Sequence, residues 1–222
     1  MLTVVLIAAG LVISHVLAHS IGRWDDHINA MFARHRTHTD DLITGAFTIL
    51  ANTPAITGVA AIVSAIAAVM HRTRLALLLV IGLAVELACF LTVNYTVQRP
   101  RPHVRHLGTT PATYSWPSGH VGATLVLYGG IALMITLTTR RLLPRFLAWT
   151  VAAAVTTCVG LSRVYRGEHH PTDAIAGLVL GAGALLTAML AVRARAARSP
   201  AREESNRNVG RTPTADEIAD VA

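Results

Sequence analysis

Six apolar runs follow one another along the chain, and the charged residues, prolines and histidines collect in the short segments between them. The runs cover residues 2–18, 54–70, 75–97, 119–139, 146–161 and 171–192. Several are close to the ~20 residues that a helix needs to cross a hydrocarbon core. They lack the polar face of a surface helix. The pattern predicts an all-α, polytopic membrane protein with about six transmembrane helices in one bundle.

The boundaries of the bundle follow from changes in this pattern. Residues 1–192 form the predicted six-helix membrane domain, and residues 193–222 form a polar C-terminal tail that we expect to be disordered, because it is poor in large apolar residues. Asn52-Thr53-Pro54 predicts a helix break, with the second span after it. Residues 19–42 carry an aromatic and several charges, which favours a helix at the membrane surface; an ordinary loop is the alternative.

Composition supports the membrane interpretation. The chain has 222 residues, of which 53% are hydrophobic and 14% charged, and one small soluble core cannot bury that much apolar surface. A soluble all-helical protein with a large core is the alternative. The net charge of +7 comes entirely from arginines scattered through the loops, which favours anionic lipid or phosphate and not nucleic acid.

Six alternating spans bring four polar segments to one face of the membrane. These segments lie at the ends of spans three and five and at the starts of spans four and six. Arg101 and Arg163 supply fixed charge there, and Ser118 and Gly119 present backbone N–H groups at the start of a helix. Because the sequence contains no lysine, every fixed cation is a guanidinium suited to phosphate oxygens. The cluster predicts a phosphate site.

Two histidines fall in the same cluster. His169 and Asp173 are four residues apart, so the carboxylate can accept a hydrogen bond from one ring nitrogen and leave the other as a nucleophile or base. His120 comes from another span and could protonate a departing oxygen. A metal site built from His120, His169 and Asp173 is the rival interpretation, which two nearby arginines disfavour. Glu86, inside span three, is expected to face the bundle or a polar cavity.

The sequences PSGH at residues 117–120 and SRVYRGEHHPTD at residues 162–173 resemble the second and third signatures of the type 2 phosphatidic acid phosphatase superfamily. The first signature of that family is lysine, six residues, then Arg-Pro. It aligns with Arg101-Pro102 and places Asn94 where lysine is expected. The three signatures cover residues 94–173 in the family's order.

The resemblance implies a metal-independent phosphatase with no cofactor. His169 would attack phosphorus to form a phosphohistidine, Asp173 would orient it, and His120 would protonate the leaving group. Arg101, Arg163, Ser118 and the Gly119 amide would hold the phosphoryl oxygens. Asn94 could donate a neutral hydrogen bond to phosphate but no charge, or could only cap a helix end.

A phosphate site at the bilayer surface suits a lipid phosphate, such as an isoprenyl pyrophosphate, phosphatidic acid or phosphatidylglycerol phosphate. A lipid phosphotransferase and a non-catalytic phospholipid-binding protein are the alternatives. By analogy with the family, we expect the plasma membrane of a bacterium, the site on the extracytoplasmic face and the tail in the cytoplasm. The sequence favours no single lipid and no oligomeric state.

Overall fold

A computed structural model describes residues 1–108 and 112–209, which are helical apart from their connecting loops and turns. The helices are α1 Leu2–Leu11, α2 Arg23–Arg34, α3 His38–Leu50, α4 Thr53–Val69, α5 Thr73–Val97, α6 Gly119–Thr124, α7 Gly130–Thr138, α8 Leu142–Tyr165 and α9 Pro171–Val209. Wider π-helical turns extend α1 at Val12–Val16, precede α2 at Ala18–Gly22 and join α6 to α7 at Leu125–Gly129.

Four helical stretches of the described residues are long and apolar enough to cross a membrane, and the number is six if each of two bent pairs is one span. The four are Thr73–Val97, Gly119–Thr138, Leu142–Tyr165 and Pro171–Arg195. The pairs are Leu2–Val16 with Ala18–Arg34, bent by 74°, and His38–Leu50 with Thr53–Val69, bent by 46°. Large apolar side chains such as Ile62 and Phe146 lie 62% and 68% exposed on the outer surface. The predicted all-α polytopic architecture is confirmed.

The predicted break before the second span lies between α3 and α4. Asn52 caps α4 by accepting a hydrogen bond from the Ala55 amide at 2.9 Å, and Pro54 stands in the first turn, where a missing N–H costs little. The residues before the break form a helix of their own, α3, which packs against α8. The Ser162 hydroxyl fixes that contact by donating to the Thr44 carbonyl at 2.7 Å.

Helix α2 lies in the segment where the sequence favoured a helix, and two of its polar side chains face inward. Asp25 and Asn29, one turn apart, are buried, whereas Trp24 is 51% exposed. The Asn29 amide donates to the carbonyls of Val164 and His169, at 3.2 and 3.1 Å. Helix α2 therefore holds the connection between α8 and α9 in place.

That connection turns sharply at a glycine. The Gly167 amide donates to the Val164 carbonyl at 3.0 Å and the Glu168 amide to the Arg163 carbonyl at 2.9 Å, the hydrogen-bond pattern of a Schellman cap. Gly167 has a φ of +76°, which a residue without Cβ adopts at little cost. The turn brings the His169 amide to 3.3 Å from the Arg163 carbonyl.

Helix α9 begins with two caps, one from its own first turn and one from α2. The Asp173 carboxylate reaches back to the His170 amide at 2.8 Å, as the acidic residue of a capping box does. The Thr172 amide donates to the Asp25 carboxylate at 3.1 Å. Because regular helix begins only at Pro171, His169 stands before it.

Two glycines bring α6 and α9 into close contact. A Cβ placed on Gly177 would lie 2.5 Å from the Ser118 carbonyl oxygen, and one on Gly181 would lie 2.7 Å from the Gly122 carbonyl oxygen. Small residues four apart allow this approach between membrane helices. The helices that carry His120 and Asp173 are thereby held at a fixed separation.

The chain divides into two compact units, Met1–Ala188 and Met189–Ala222. All the predicted site residues lie in the first unit. In the second, the structure describes the α9 backbone as far as Val209. Residues 210–222, the end of the predicted disordered tail, lie outside the described residues.

Replacing Gly177 with alanine is expected to destabilise the protein, although alanine is the better helix former. The added Cβ meets the backbone at Ser118, which cannot rotate away, and overpacking of this kind costs about 1–3 kcal/mol. Gly58→Ala is the matched control, because a Cβ there meets nothing within 4 Å. Thermal unfolding in detergent should show a lower midpoint for Gly177→Ala and no loss for Gly58→Ala. Equal midpoints would contradict the close contact.

Candidate active site

A cavity of about 270 Å³ lies among α4, α5, α6 and the loops at one end of the bundle. One part of its wall is polar and comes from the predicted site and its neighbours: Arg101, Thr113, Gly119, His120 and His169. Another part is apolar and comes from the membrane-spanning helices: Ile56, Leu83, Leu87, Phe90 and Ala123. The cavity therefore joins a place for a charged group to a place for a hydrocarbon chain.

His169 presents an unprotonated ring nitrogen to this cavity. Its Nδ1 lies 2.7 Å from the Ser115 carbonyl oxygen. A carbonyl can only accept a hydrogen bond, so Nδ1 carries the proton and Nε2 keeps its lone pair. Burial lowers the pKa of His169 to about 4, against the opposing effect of the Asp173 carboxylate, and the positive charge of Arg163 acts in the same direction as burial. The ring is therefore neutral at neutral pH, the form that a nucleophile needs.

Asp173 lies behind His169, but the expected hydrogen bond between them is not formed. Asp173 Oδ2 is 3.8 Å from His169 Nδ1, because Ser115 stands between the two residues. The Ser115 carbonyl accepts from His169, and the Ser115 hydroxyl donates to Asp173 Oδ2. The carboxylate therefore orients the imidazole through Ser115 and acts on it directly only as a nearby charge.

Arg99 and Asp25 hold Asp173 from the other side. Arg99 NH1 donates to Asp173 Oδ1 at 2.6 Å, and Arg99 NH2 donates to Asp25 Oδ2 at 2.7 Å. All three side chains are buried. The sequence singled out neither Arg99 nor Asp25. The pairing of Asp25 with Asn29 four residues later was the available signal, since it places two polar groups on one face of α2.

Arg101 lines the cavity and is fixed by its neighbours. Its Nε and NH2 donate to the Thr113 carbonyl at 3.2 and 3.1 Å, and NH1 donates to the Glu168 carbonyl at 2.5 Å. The buried Glu168 carboxylate lies 3.4 Å from Arg101 NH1 and 3.6 Å from Arg163 NH2. Glu168, which the sequence did not single out, thus pairs with both guanidinium groups and offsets part of their charge.

Arg163 and Ser118 are buried with polar atoms left unbonded. Among the described residues, Arg163 Nε, Arg163 NH2 and Ser118 Oγ have no hydrogen-bond partner. Ser118 stands at the N-cap of α6, where a serine hydroxyl ordinarily bonds the first turn, and it does not do so here. Buried donors without acceptors are costly, so these atoms are suited to bind an anion.

The backbone at the start of α6 contributes less than expected. The Ser118 amide already donates to the Asp173 carbonyl at 2.9 Å, so the first-turn amides without an intrahelical acceptor are those of Gly119, His120 and Val121. The structure therefore brings His169, His120, Arg101 and Gly119 to one cavity and buries Arg163, Ser118 and Asp173.

Asn94 does not join this group. Its amide nitrogen donates to the carbonyls of Tyr114 and Trp116, at 2.9 and 3.0 Å, and its oxygen accepts from the Tyr114 amide at 2.9 Å. Both N–H bonds are used, so the amide offers no donor to a phosphate. Asn94 instead holds the loop that carries Ser115 onto the end of α5.

The rival metal site does not form in the part of the chain that the structure describes. No group of three or more His, Cys, Asp or Glu side chains there is placed to hold a metal ion. Asp173, the acid of that hypothesis, is already bonded by Arg99.

Two curated relatives match parts of the chain. An undecaprenyl-diphosphatase from Sulfolobus acidocaldarius is 32% identical over 125 residues, 54% of this chain and 56% of that protein. A lipid A 1-phosphatase from Rhizobium johnstonii is 38% identical over 80 residues, 36% of this chain and 29% of that protein. The chain thus spans about half or less of the length of these relatives.

Two solved structures share the fold. A transmembrane PAP2-type phosphatidylglycerolphosphate phosphatase from Bacillus subtilis superposes with a TM-score of 0.73 at 22% identity, covering 89% of this chain and 96% of that one. LpxE from Aquifex aeolicus superposes with a TM-score of 0.59 at 15% identity, covering 73% of this chain and 93% of that one. The sequence profile of the PAP2 superfamily matches residues 73–197, more than half of the chain and all of the cluster around His169 except α2. The chain therefore belongs to the PAP2 superfamily.

Proposed function

We propose that this protein is an integral membrane phosphatase that hydrolyses the phosphomonoester or pyrophosphate of a lipid through a phosphohistidine on His169. The observation that carries the proposal is the state of the His169 ring. Its Nε2 is unprotonated, and the ring lines a cavity with charged groups on one part of its wall and hydrocarbon on another. The relatives named as lipid phosphatases support the same substrate class.

Two steps make the proposed reaction. Nε2 of His169 attacks phosphorus, the bond from phosphorus to the lipid oxygen breaks, and His120 gives its proton to the departing oxygen. Water then attacks the phosphohistidine, His120 takes a proton from it, and the N–P bond breaks to release phosphate. The positive charge that develops on His169 lies beside the Asp173 carboxylate.

The phosphoryl oxygens would be held by donor groups that have no hydrogen-bond acceptor among the described residues. Arg163 Nε and NH2, Ser118 Oγ and the Gly119 amide offer donors, and Arg101 adds charge at the cavity wall. Such fixed donors stabilise charge that develops during phosphoryl transfer without having to reorganise. The apolar wall from α4 and α5 would receive the first part of the lipid chain.

We place the site on the extracytoplasmic face of a bacterial plasma membrane, with the C-terminal end of the chain in the cytoplasm. Alternation of six spans puts the two on opposite sides. A cysteine at the exposed position His103, with Cys89 and Cys158 replaced by alanine, should react in intact cells with a maleimide that does not cross membranes. Labelling only after the cells are broken would show that the site faces the cytoplasm and would contradict the proposed orientation.

The rate of phosphate release by the His169→Ala variant is expected to be at least about 10³-fold lower than that of the parent, because the nucleophile is removed. The measurement is phosphate release in detergent with EDTA present, from isoprenyl phosphates and pyrophosphates and from glycerolipid phosphates. His103→Ala, which removes an exposed histidine from the loop after α5, is the matched control and should retain the parent's rate. Equal rates for the parent and His169→Ala would refute the proposed nucleophile, and no release from any lipid by the parent would refute the phosphatase.

The Asp25→Asn variant tests whether the buried ion pair of Asp25 with Arg99 helps to position His169 through Asp173. Asp25 does not line the cavity, so its loss should act on the rate and not on substrate binding. We expect kcat to fall about 10- to 100-fold with little change in KM, since small displacements of a catalytic group have effects of this size. His27→Gln is the control on the same helix, because the His27 side chain is exposed. A raised KM with an unchanged kcat would contradict the positioning role.

A further inference from the structure

Glu86 is a buried carboxyl group that the proposed reaction does not use. It lies in the middle of α5, is 4% exposed, and its Oε1 has no hydrogen-bond partner among the described residues. It also lines the cavity that His120 and His169 line. An unbonded carboxyl in a membrane-spanning helix is costly, and such residues ordinarily serve function.

The carboxyl lies close to the reacting groups, on the side of the cavity towards the membrane interior. Glu86 Oε1 is against Gly122, where an added Cβ would be only 2.6 Å away. Gly122 follows His120 on α6 and stands about 3 Å further along the helix axis. The other nearby lining residues, Leu83, Leu87 and Phe90, are apolar. Thr53 and Thr57 of α4 also line the cavity, and the Thr57 hydroxyl donates to the Thr53 carbonyl of its own helix at 2.7 Å. Glu86 is therefore the carboxyl group that a lipid meets just beyond its phosphate.

We propose that Glu86 is a specificity residue that hydrogen-bonds a free hydroxyl group of the substrate, on the carbon next to the one that bears the phosphate. The inference rests on the proposed phosphatase activity. Among lipid phosphates, Glu86 would favour those that carry a glycerol-like hydroxyl group beside the phosphate ester. Isoprenyl phosphates and fully acylated glycerol phosphates lack this group.

The chemistry of the carboxyl favours a hydroxyl over the other groups that a lipid carries at this depth. A hydroxyl both donates and accepts, so it satisfies a carboxyl group in either protonation state. An ester carbonyl only accepts, and a hydrocarbon chain offers neither function. A lipid without the hydroxyl would displace water from the Glu86 carboxyl group and leave that group without a hydrogen bond, which costs binding energy. A substrate with the hydroxyl replaces the lost hydrogen bond and avoids this cost.

A matched pair of substrates tests the inference. One is a 1-acyl glycerol 3-phosphate, and the other is its 2-deoxy counterpart, an acyl propanediol phosphate with the same chain. The parent should favour the first by about 10- to 100-fold in kcat/KM. Glu86→Leu should abolish this preference, because its kcat/KM should fall for the hydroxyl substrate alone. Glu86→Gln can still form a hydrogen bond with a hydroxyl and should keep most of the preference.

Thr156→Val is the control for loss of a buried polar group. The Thr156 hydroxyl is buried in α8, donates to the Ala152 carbonyl of its own helix and does not line this cavity, so the variant should keep the preference of the parent. A parent that hydrolyses both substrates equally, or a Glu86→Leu variant that slows both equally, would overturn the inference and leave the phosphatase standing.

A third substrate, an isoprenyl phosphate, separates the two proposals. Its hydrolysis by the parent, without hydrolysis of either glycerol-type substrate, would overturn the role of Glu86 and keep the proposed function. Failure with all three substrates would overturn both.

Discussion

The structure of the site depends on one buried carboxylate, that of Asp173. Its oxygens accept hydrogen bonds from Arg99, from Ser115 and from the His170 amide, and its backbone carbonyl accepts from the Ser118 amide. These bonds join the loop after α5, the start of α6 and the start of α9 at one point. A charge without partners is very costly at such a position, so the segments must meet around it. The carboxylate that fixes the imidazole of His169 through Ser115 is thus also the group that assembles the face of the bundle.

The sequence predicted the parts of the site that are set by local pattern. The apolar runs predicted the spans, their alternation brought four polar segments to one face, and the sixth run began at Pro171, where α9 begins. The three signatures placed His120, His169, Arg101 and Arg163 in one region. These features depend on residues within a few positions of each other or on the alternation of spans, which is why a single sequence is enough to predict them.

Contacts between residues far apart in the chain could not be predicted from the sequence. Asp25 lies 74 residues from Arg99, and although its spacing to Asn29 places both on one face of α2, nothing in the sequence shows which distant group that face meets. Asn94 illustrates the same difficulty at shorter range. Its position in the first signature invited a role at the phosphate, whereas both of its N–H bonds go to the loop that carries Ser115. An amide side chain binds whichever group its surroundings bring near, and the sequence does not specify those surroundings.

The proposed chemistry explains why the site combines fixed charge with hydrocarbon. Arg163 and Ser118 have unbonded donors, and the apolar wall of the same region opens among helices that cross the membrane. A soluble phosphate ester would use the first feature alone. A lipid phosphate uses both, since its charged end is bound while its chain stays among apolar side chains.

The central claim is that His169 carries the phosphoryl group, and mapping the covalent intermediate tests it most directly. The protein would be mixed with a lipid phosphate in detergent, quenched in alkali, which preserves phosphohistidine, digested, and analysed by mass spectrometry. The account predicts a phosphate on the His169 imidazole, absent from the His169→Ala variant. Lipid turnover with the phosphate on another residue, or with none trapped under conditions that stabilise the intermediate, would contradict it.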